Sequence, residues 1–341
     1  MNENERNPQE NDVLLSINDL TVYYELEQET VKAVNNVTLE LRRGHTLGLV
    51  GETGAGKTTT ALAAMDLIPD PPGVIKGGSV NICGRDVYSL SPGEMDKLRG
   101  KDISMIFQDP MTSLNPVFPV GWQIAESLRL HEDLTKAQAI EKAKNMLEMV
   151  GIQGDRAYDY PHQFSGGMKQ RVMIAIALAC NPRILIADEP TTALDVTIQA
   201  QVMDMMRQIR DKLGTAVLLI THDLGVIAEM CDEVAVMYAG SIVEYGTLAE
   251  VFNETKHPYT EGLFNSLPNI EDRTAKLKPI PGLMPDPTDL PEGCAFAPRC
   301  KYKTEECISR QQTKHWFGDT HYCACCRYED PEFRLERGQG K

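Results

Sequence analysis

Gly51-Glu52-Thr53-Gly54-Ala55-Gly56-Lys57-Thr58-Thr59 decides how this chain of 341 residues is read. The run matches G-x-x-x-x-G-K-[ST], the P-loop pattern. Thr46 to Val50 before it reads as a short buried strand, and Thr60 to Met65 after it as the start of a helix. Glycines let the backbone curl so that several N–H groups point inward, and a helix N-terminus adds the positive end of its dipole. In that arrangement Gly51, Gly54 and Gly56 shape a phosphate cradle. Lys57 reaches the β- and γ-phosphates, the Thr58 hydroxyl takes Mg²⁺, and Thr59 belongs to the same nucleotide-binding run. A chance Gly-rich turn is the competing explanation, but it accounts for neither flank.

The formal net charge is −15, and no basic face stands out, which argues against nucleic acid as the main partner. Acidity of this size serves solubility. The opening Met1 to Arg6 is polar, without the charged-then-apolar layout of a signal segment, so export is not expected. The longest apolar run, Val172 to Cys180, has nine residues, whereas a spanning helix needs about twenty. Nine cysteines in such a chain are expected as thiols or ligands rather than disulfides, and six of them follow residue 290. Cys83, Cys180 and Cys231 read as small buried hydrophobes.

Along the chain, residues 1–12 form a charged tail. Val13 to Ile17, Leu20 to Tyr24 and Val31 to Leu41 read as strands. Lys101 to Gln108 is a further strand. Residues 121–150 carry helical periodicity, Asp155 to Phe164 reads as a loop, and Ser165 stands at the N-cap of a helix running through Ala179. A mainly helical insertion, roughly 109–180, thus interrupts an α/β domain. Arg183 to Glu189, Ala216 to Thr221, and a hairpin of Val234 to Tyr238 with Ser241 to Tyr245 supply more strands, and Thr197 to Leu213 is helix. From His257 the chain turns proline-rich, with eight of its 20 prolines between Pro258 and Pro298, and reads as an extended linker.

The apolar strand Ile184 to Asp188 delivers a carboxylate to the sheet edge beside the phosphates, where Asp188 is placed to hold Mg²⁺. Glu189, one residue on, is placed to polarise the attacking water. Phe164-Ser165-Gly166-Gly167-Met168-Lys169-Gln170-Arg171 then closely resembles the signature sequence of ABC-type ATPases, in which a Gly-rich helix N-terminus again faces phosphate. Met168 replaces the usual Gln, a mild departure because the backbone and Ser165 do the phosphate work. The resemblance implies a P-loop NTPase (RecA-like) core with an antiparallel β subdomain and a helical insertion. It also implies ATP sandwiched between two nucleotide-binding domains, with Ser165, Gly166 and Gly167 facing the γ-phosphate held by the other subunit. On the same basis Tyr24 stacks on adenine, with Tyr23 the neighbouring candidate. Gln108 senses Mg²⁺ and the nucleophilic water, Ala193-Leu194-Asp195 crosses the dimer interface, and His222 contacts the γ-phosphate.

The resemblance runs from residue 13 to about 330, with the ATPase domain at 13–265 and a proline-rich linker and small cysteine-rich C-terminal extension at 266–341. Phe107 to Pro116, His257-Pro258-Tyr259-Thr260, Ile280-Pro281-Gly282 and Gly293 to Cys300 resemble the ATPase subunits of the dipeptide, oligopeptide and nickel uptake subfamily. This implies an ATP-hydrolysing subunit powering import of di- or oligopeptides from the cytoplasmic side of the membrane. Its implied partners are a second, different ATPase chain, two transmembrane permease subunits and an extracytoplasmic binding protein. The helical subdomain would dock a short permease helix. A nickel or other small-solute importer, or a soluble ABC ATPase without transport, are the alternatives.

Cys294-x5-Cys300-x6-Cys307 is too widely spaced for the usual zinc pairs, and a fourth thiol follows at Cys323, Cys325 or Cys326. The resemblance implies a [4Fe-4S] cluster on Cys294, Cys300, Cys307 and, from a His321-x-x-x-Cys ending, Cys325. Zinc and free thiols are the alternatives, since four cysteines serve either metal.

Overall fold

The computed structural model describes residues 12–108, 113–191, 196–267 and 278–336. Twelve strands are described: β1 (Val13–Glu25), β2 (Thr30–Arg42), β3 (Thr46–Val50), β4 (Gly73–Ile82), β5 (Arg85–Asp86), β6 (Ile103–Ile106), β7 (Ile184–Asp188), β8 (Ala216–Thr221), β9 (Glu233–Tyr238), β10 (Ser241–Thr247), β11 (Lys314–Trp316) and β12 (Tyr322–Ala324). They make an antiparallel sheet in the order β2-β1-β4-β5 and a larger one in the order β11-β12-β10-β9-β3-β8-β7-β6. From β9 to β6 the larger sheet is parallel.

β3, β7 and β8 are buried at every position, as strands covered on both faces must be. Their side chains alternate between two cores. Ile184, Ile186, Leu218 and Ile220 pack with the antiparallel sheet, while Leu185, Ala187, Val217 and Leu219 pack with the helical insertion. Register aligns the C-terminal ends of these strands: Val50 pairs with Thr221, Asp188 with Ile220, and Ile106 with Ala187. The segments leaving β3, β6, β7 and β8 therefore emerge side by side, where ligands bind on open α/β sheets.

Several local expectations change. The two opening strand segments are one strand, β1, whose register shifts around Asp19, at φ 47. Residues Gly154–Tyr158 and Pro161–Gln163 wind into 3₁₀ turns where a loop was expected. The proline-rich stretch does not begin as an extended linker: Pro258–Asn265 is a helix with Tyr259 and Thr260 buried. Pro258 occupies its first turn, where the missing N–H costs nothing, and His257 caps it by accepting from the Tyr259 amide at 3.1 Å. Nor is the C-terminal extension set apart, because β12 pairs with β10 and lengthens the main sheet. The β9–β10 turn at Ala239 and Gly240, both at positive φ, is the two-residue kind that such hairpins favour.

Candidate nucleotide site

The P-loop runs from β3 into the helix Lys57–Ala64. Two of its glycines are required by space. A Cβ on Gly51 would sit 2.1 Å from the Met237 carbonyl oxygen, and one on Gly56 2.3 Å from that of Ala33. Gly56, the N-cap, also has φ 103, a conformation that costs glycine little. Lys57 folds back to donate to the carbonyls of Gly51 (2.7 Å) and Glu52 (3.0 Å). Burial lowers its pKa, opposed by the negative charges of Glu189, Asp188 and Glu52. Thr58 is exposed and Thr59 half-buried on the same helix turn.

Asp188 ends β7 fully buried, and burial raises its pKa against the Thr58 hydroxyl hydrogen bond. Its Oδ1 is buried without a hydrogen-bond partner among the described residues. A buried, unpartnered carboxylate oxygen beside a threonine hydroxyl is the donor set a hard cation such as Mg²⁺ accepts.

Glu189 turns the backbone sharply at φ 47, a left-handed conformation costing a residue with a Cβ about 1 kcal/mol or more. Its amide is held by the Ile220 carbonyl at 2.8 Å. One carboxylate oxygen accepts from Gln108 Nε2 at 3.0 Å, and the other lies 3.1 Å from His222 Nδ1. The imidazole is 60% exposed and the Glu189 side chain 11%, so His222 is the member of the pair that faces incoming solute. Gln108, Glu189 and His222 thus form one hydrogen-bonded row across three aligned strand ends.

Two predicted groups stand apart from that row. Ser165 caps the helix Gly166–Leu178, its hydroxyl accepting from the Met168 amide at 3.4 Å. Ser165 and Gly166 are exposed, and beyond its own helix no described group lies within 4 Å of the Cβ position on Gly166. Met168 meets Arg156, whose guanidinium stacks on Phe164 at 4.3 Å. Tyr24 is half-buried on β1 against Gly73, on the sheet whose β2 brings Ala33 to Gly56. The Ala193-Leu194-Asp195 segment lies outside the described residues, as do residues 109–112.

Sequence reasoning overlooked the far side of the loop. Arg299 Nη1 lies 3.0 Å from both carboxylate oxygens of Glu52, and the Glu52 amide donates to Tyr259 Oη at 2.9 Å. Arg299 and Tyr259 fall within stretches that carry the subfamily resemblance, but their partner is more than 200 positions away, and no local pattern reveals it.

In the C-terminal segment, Cys307 Sγ lies 3.5 Å from Cys326 Sγ, and Cys294 packs against the small cluster these form with Ala297. Cys325 is adjacent and buried, whereas Cys323 pairs with Glu244 across β10 and β12. Cys294 and Cys300 thiols are each pushed up to about 11 by burial. Among the described residues no three His, Cys, Asp or Glu side chains are spaced to hold a metal ion, so the expected iron–sulfur centre finds no preformed cage.

Residues 34–192 match the family model described as ABC transporter, and residues 243–307 the one described as oligopeptide/dipeptide transporter, C-terminal region. The chain is 46% identical over 319 residues to the oligopeptide transport ATP-binding protein AppD of Bacillus subtilis, covering 93% of this chain and 97% of that protein. It is 49% identical over 302 residues to OppD of Salmonella typhimurium, covering 88% and 90%. A dimeric ATP-binding cassette solved in a post-hydrolysis state with ADP and Pi superposes at TM-score 0.62 with 27% identity, over 69% of this chain and 98% of that one. The clustered strand ends and these similarities agree: this chain is an ATPase of the ABC transporter family and belongs to its oligopeptide-transport ATP-binding subunits.

Proposed function

We propose that the chain hydrolyses ATP to drive import of di- or oligopeptides through a membrane permease complex. The row Gln108–Glu189–His222, set beside Lys57 and Asp188, carries the ATPase part of the reading. The match of residues 243–307 and the named relatives carry the peptide part. Lys57 and the loop amides take the phosphates, Tyr24 takes the adenine, and Glu189 orients water with Gln108. His222 meets the γ-phosphate. In such a reaction the protein mainly positions groups and neutralises charge. Asp188 and Thr58 would hold Mg²⁺ with Gln108 nearby, and the ion would neutralise charge on the phosphates. Ser165 and Gly166, both exposed, and the half-buried Gly167, all far from this chain's own loop in sequence, complete the site of a second ATPase chain, across an interface to which Asp195 belongs.

The helical insertion carries a groove of about 940 Å³ lined by Phe118, Trp122, Gln123, Glu126 and Tyr158. Its three aromatics are 47%, 55% and 55% exposed, a surface suited to a short permease helix. No helix among the described residues is long and apolar enough to cross a membrane. We place the chain peripherally on the cytoplasmic face, with two permease subunits and an extracytoplasmic binding protein completing the complex. Residues 13–265 form the ATPase domain in this reading, and 266–341 the extension. A [4Fe-4S] centre is proposed on Cys294, Cys300, Cys307 and Cys325, with Cys326 the other candidate for the fourth position; it rests on the resemblance of this tail, since the described thiols form no preformed cage. The function is tested by purifying the chain with every protein bound to it and assaying ATP-dependent peptide uptake in vesicles. Recovery without permeases, or uptake of nickel and no peptide, would sink it.

A further inference from the structure

Glu52 places a carboxylate inside the loop that must receive a polyanion. Its side chain is only 32% exposed, so water screens it incompletely, and a triphosphate arriving at the neighbouring amides would be repelled. The C-terminal segment supplies the opposite charge. The Arg299 side chain is 6% exposed and contacts both Glu52 oxygens. The same nitrogen lies 3.2 Å from Tyr238 Oη, and Nε donates to the Pro281 carbonyl at 2.9 Å. Guanidinium is always charged and holds a carboxylate through fixed donors, so this pair stays neutral overall. Beneath it Tyr238, Tyr259 and Phe296 pack with ring centroids 4.6, 5.3 and 5.4 Å apart, and Tyr259 also takes the Glu52 amide. Met284 Cε lies 3.3 Å from the Cβ position on Gly54, and the Lys32 amide donates to the Pro287 carbonyl at 2.9 Å. The segment from Pro281 to Arg299 is therefore laid along the P-loop and β2.

We propose that Arg299 is a positioning residue of the nucleotide site: it neutralises Glu52 and tethers it to the C-terminal segment, so that the P-loop accepts a triphosphate. The proposal rests on the ATP-binding reading of that loop. Phe296 and Arg299 both sit between Cys294 and Cys300, so the cysteine-rich segment and the phosphate cradle share one short stretch of chain.

A double-mutant cycle on the full chain tests it, with a fluorescent ATP analogue and Mg²⁺ as the probe and the thermal midpoint recorded for each protein. Arg299→Ala should raise the dissociation constant at least tenfold in the native background. In a Glu52→Gln background the same replacement should change it less than twofold, because no charge remains to neutralise. Equal losses in both backgrounds would assign Arg299 to packing alone and overturn the proposal, as would no loss in the native background. Where Arg299→Ala does not fold, Arg299→Gln takes its place in the same cycle. Failure of the unaltered chain to bind the analogue would instead overturn the ATP-binding reading.

Discussion

Glu189 and His222 meet at 3.1 Å across the ends of neighbouring strands, and Gln108 holds the other Glu189 oxygen. The row places a carboxylate between Gln108, at the end of β6, and the solvent-exposed His222, at the end of β8. Glu189→Gln keeps size and hydrogen bonding but removes the basic oxygen. Steady-state hydrolysis in the assembled complex should fall by about 100-fold or more, with ATP affinity changing less than about threefold. Hydrolysis at the native rate would remove Glu189 from the role of base.

Glu244 is buried on β10 and gathers three donors: the amides of Lys256 (2.6 Å) and His257 (2.9 Å), and His321 Nε2 (3.0 Å). It joins the main sheet, the helix Pro258–Asn265 and the C-terminal segment. Glu244→Ala leaves all three donors buried without an acceptor and should cost about 3 kcal/mol or more. Glu244→Gln keeps one acceptor oxygen and should cost less. Equilibrium unfolding in urea measures both, and equal losses would show that the hydrogen bonds are not the source.

His257 is buried, and desolvation lowers its pKa to about 3 from 6.5. Its Nδ1 accepts from the Tyr259 amide while the ring also bonds the Ala324 backbone. The unfolded chain binds this proton at higher pH than the folded one. The contribution to stability is therefore complete above about pH 6.5 and is lost as pH falls from there toward 3. His257→Asn, which can still cap the helix, should flatten that limb. Unfolding midpoints at pH 7 and pH 5 check it: the drop between them should be smaller in the variant than in the native chain.

Cys326, the thiol in contact with Cys307, should matter more to a metal centre than Cys325. Anaerobically purified chain should carry iron, with Cys326→Ser losing it and Cys325→Ser keeping most of it. Elemental analysis for iron and zinc decides. A native chain with neither metal would end the proposal of a centre, and the reverse order of the two variants would return the fourth position to Cys325.

The phosphate cradle, the Asp188–Glu189 pair, the Ser165 cap and the buried strands beside them were legible because each depends on short-range chemistry, while His222 was picked out by the family resemblance. A glycine run needs its own backbone freedom, a capping hydroxyl reaches amides two or three residues on, and a buried strand shows as an unbroken apolar run. The same local rules misread Pro258, which begins a helix as readily as it breaks one.

Sequence by itself determined that this chain carries a P-loop between a buried strand and a helix, and a second Gly-rich run that Ser165 caps. Tertiary structure alone decided that Glu189 joins Gln108 to His222, and that Arg299 closes on Glu52 from 247 positions away. It also decided that Cys326 rather than Cys325 touches Cys307. Such pairings depend on which strand ends and loops are brought side by side. Long-range packing sets that, and no local pattern of residues records it.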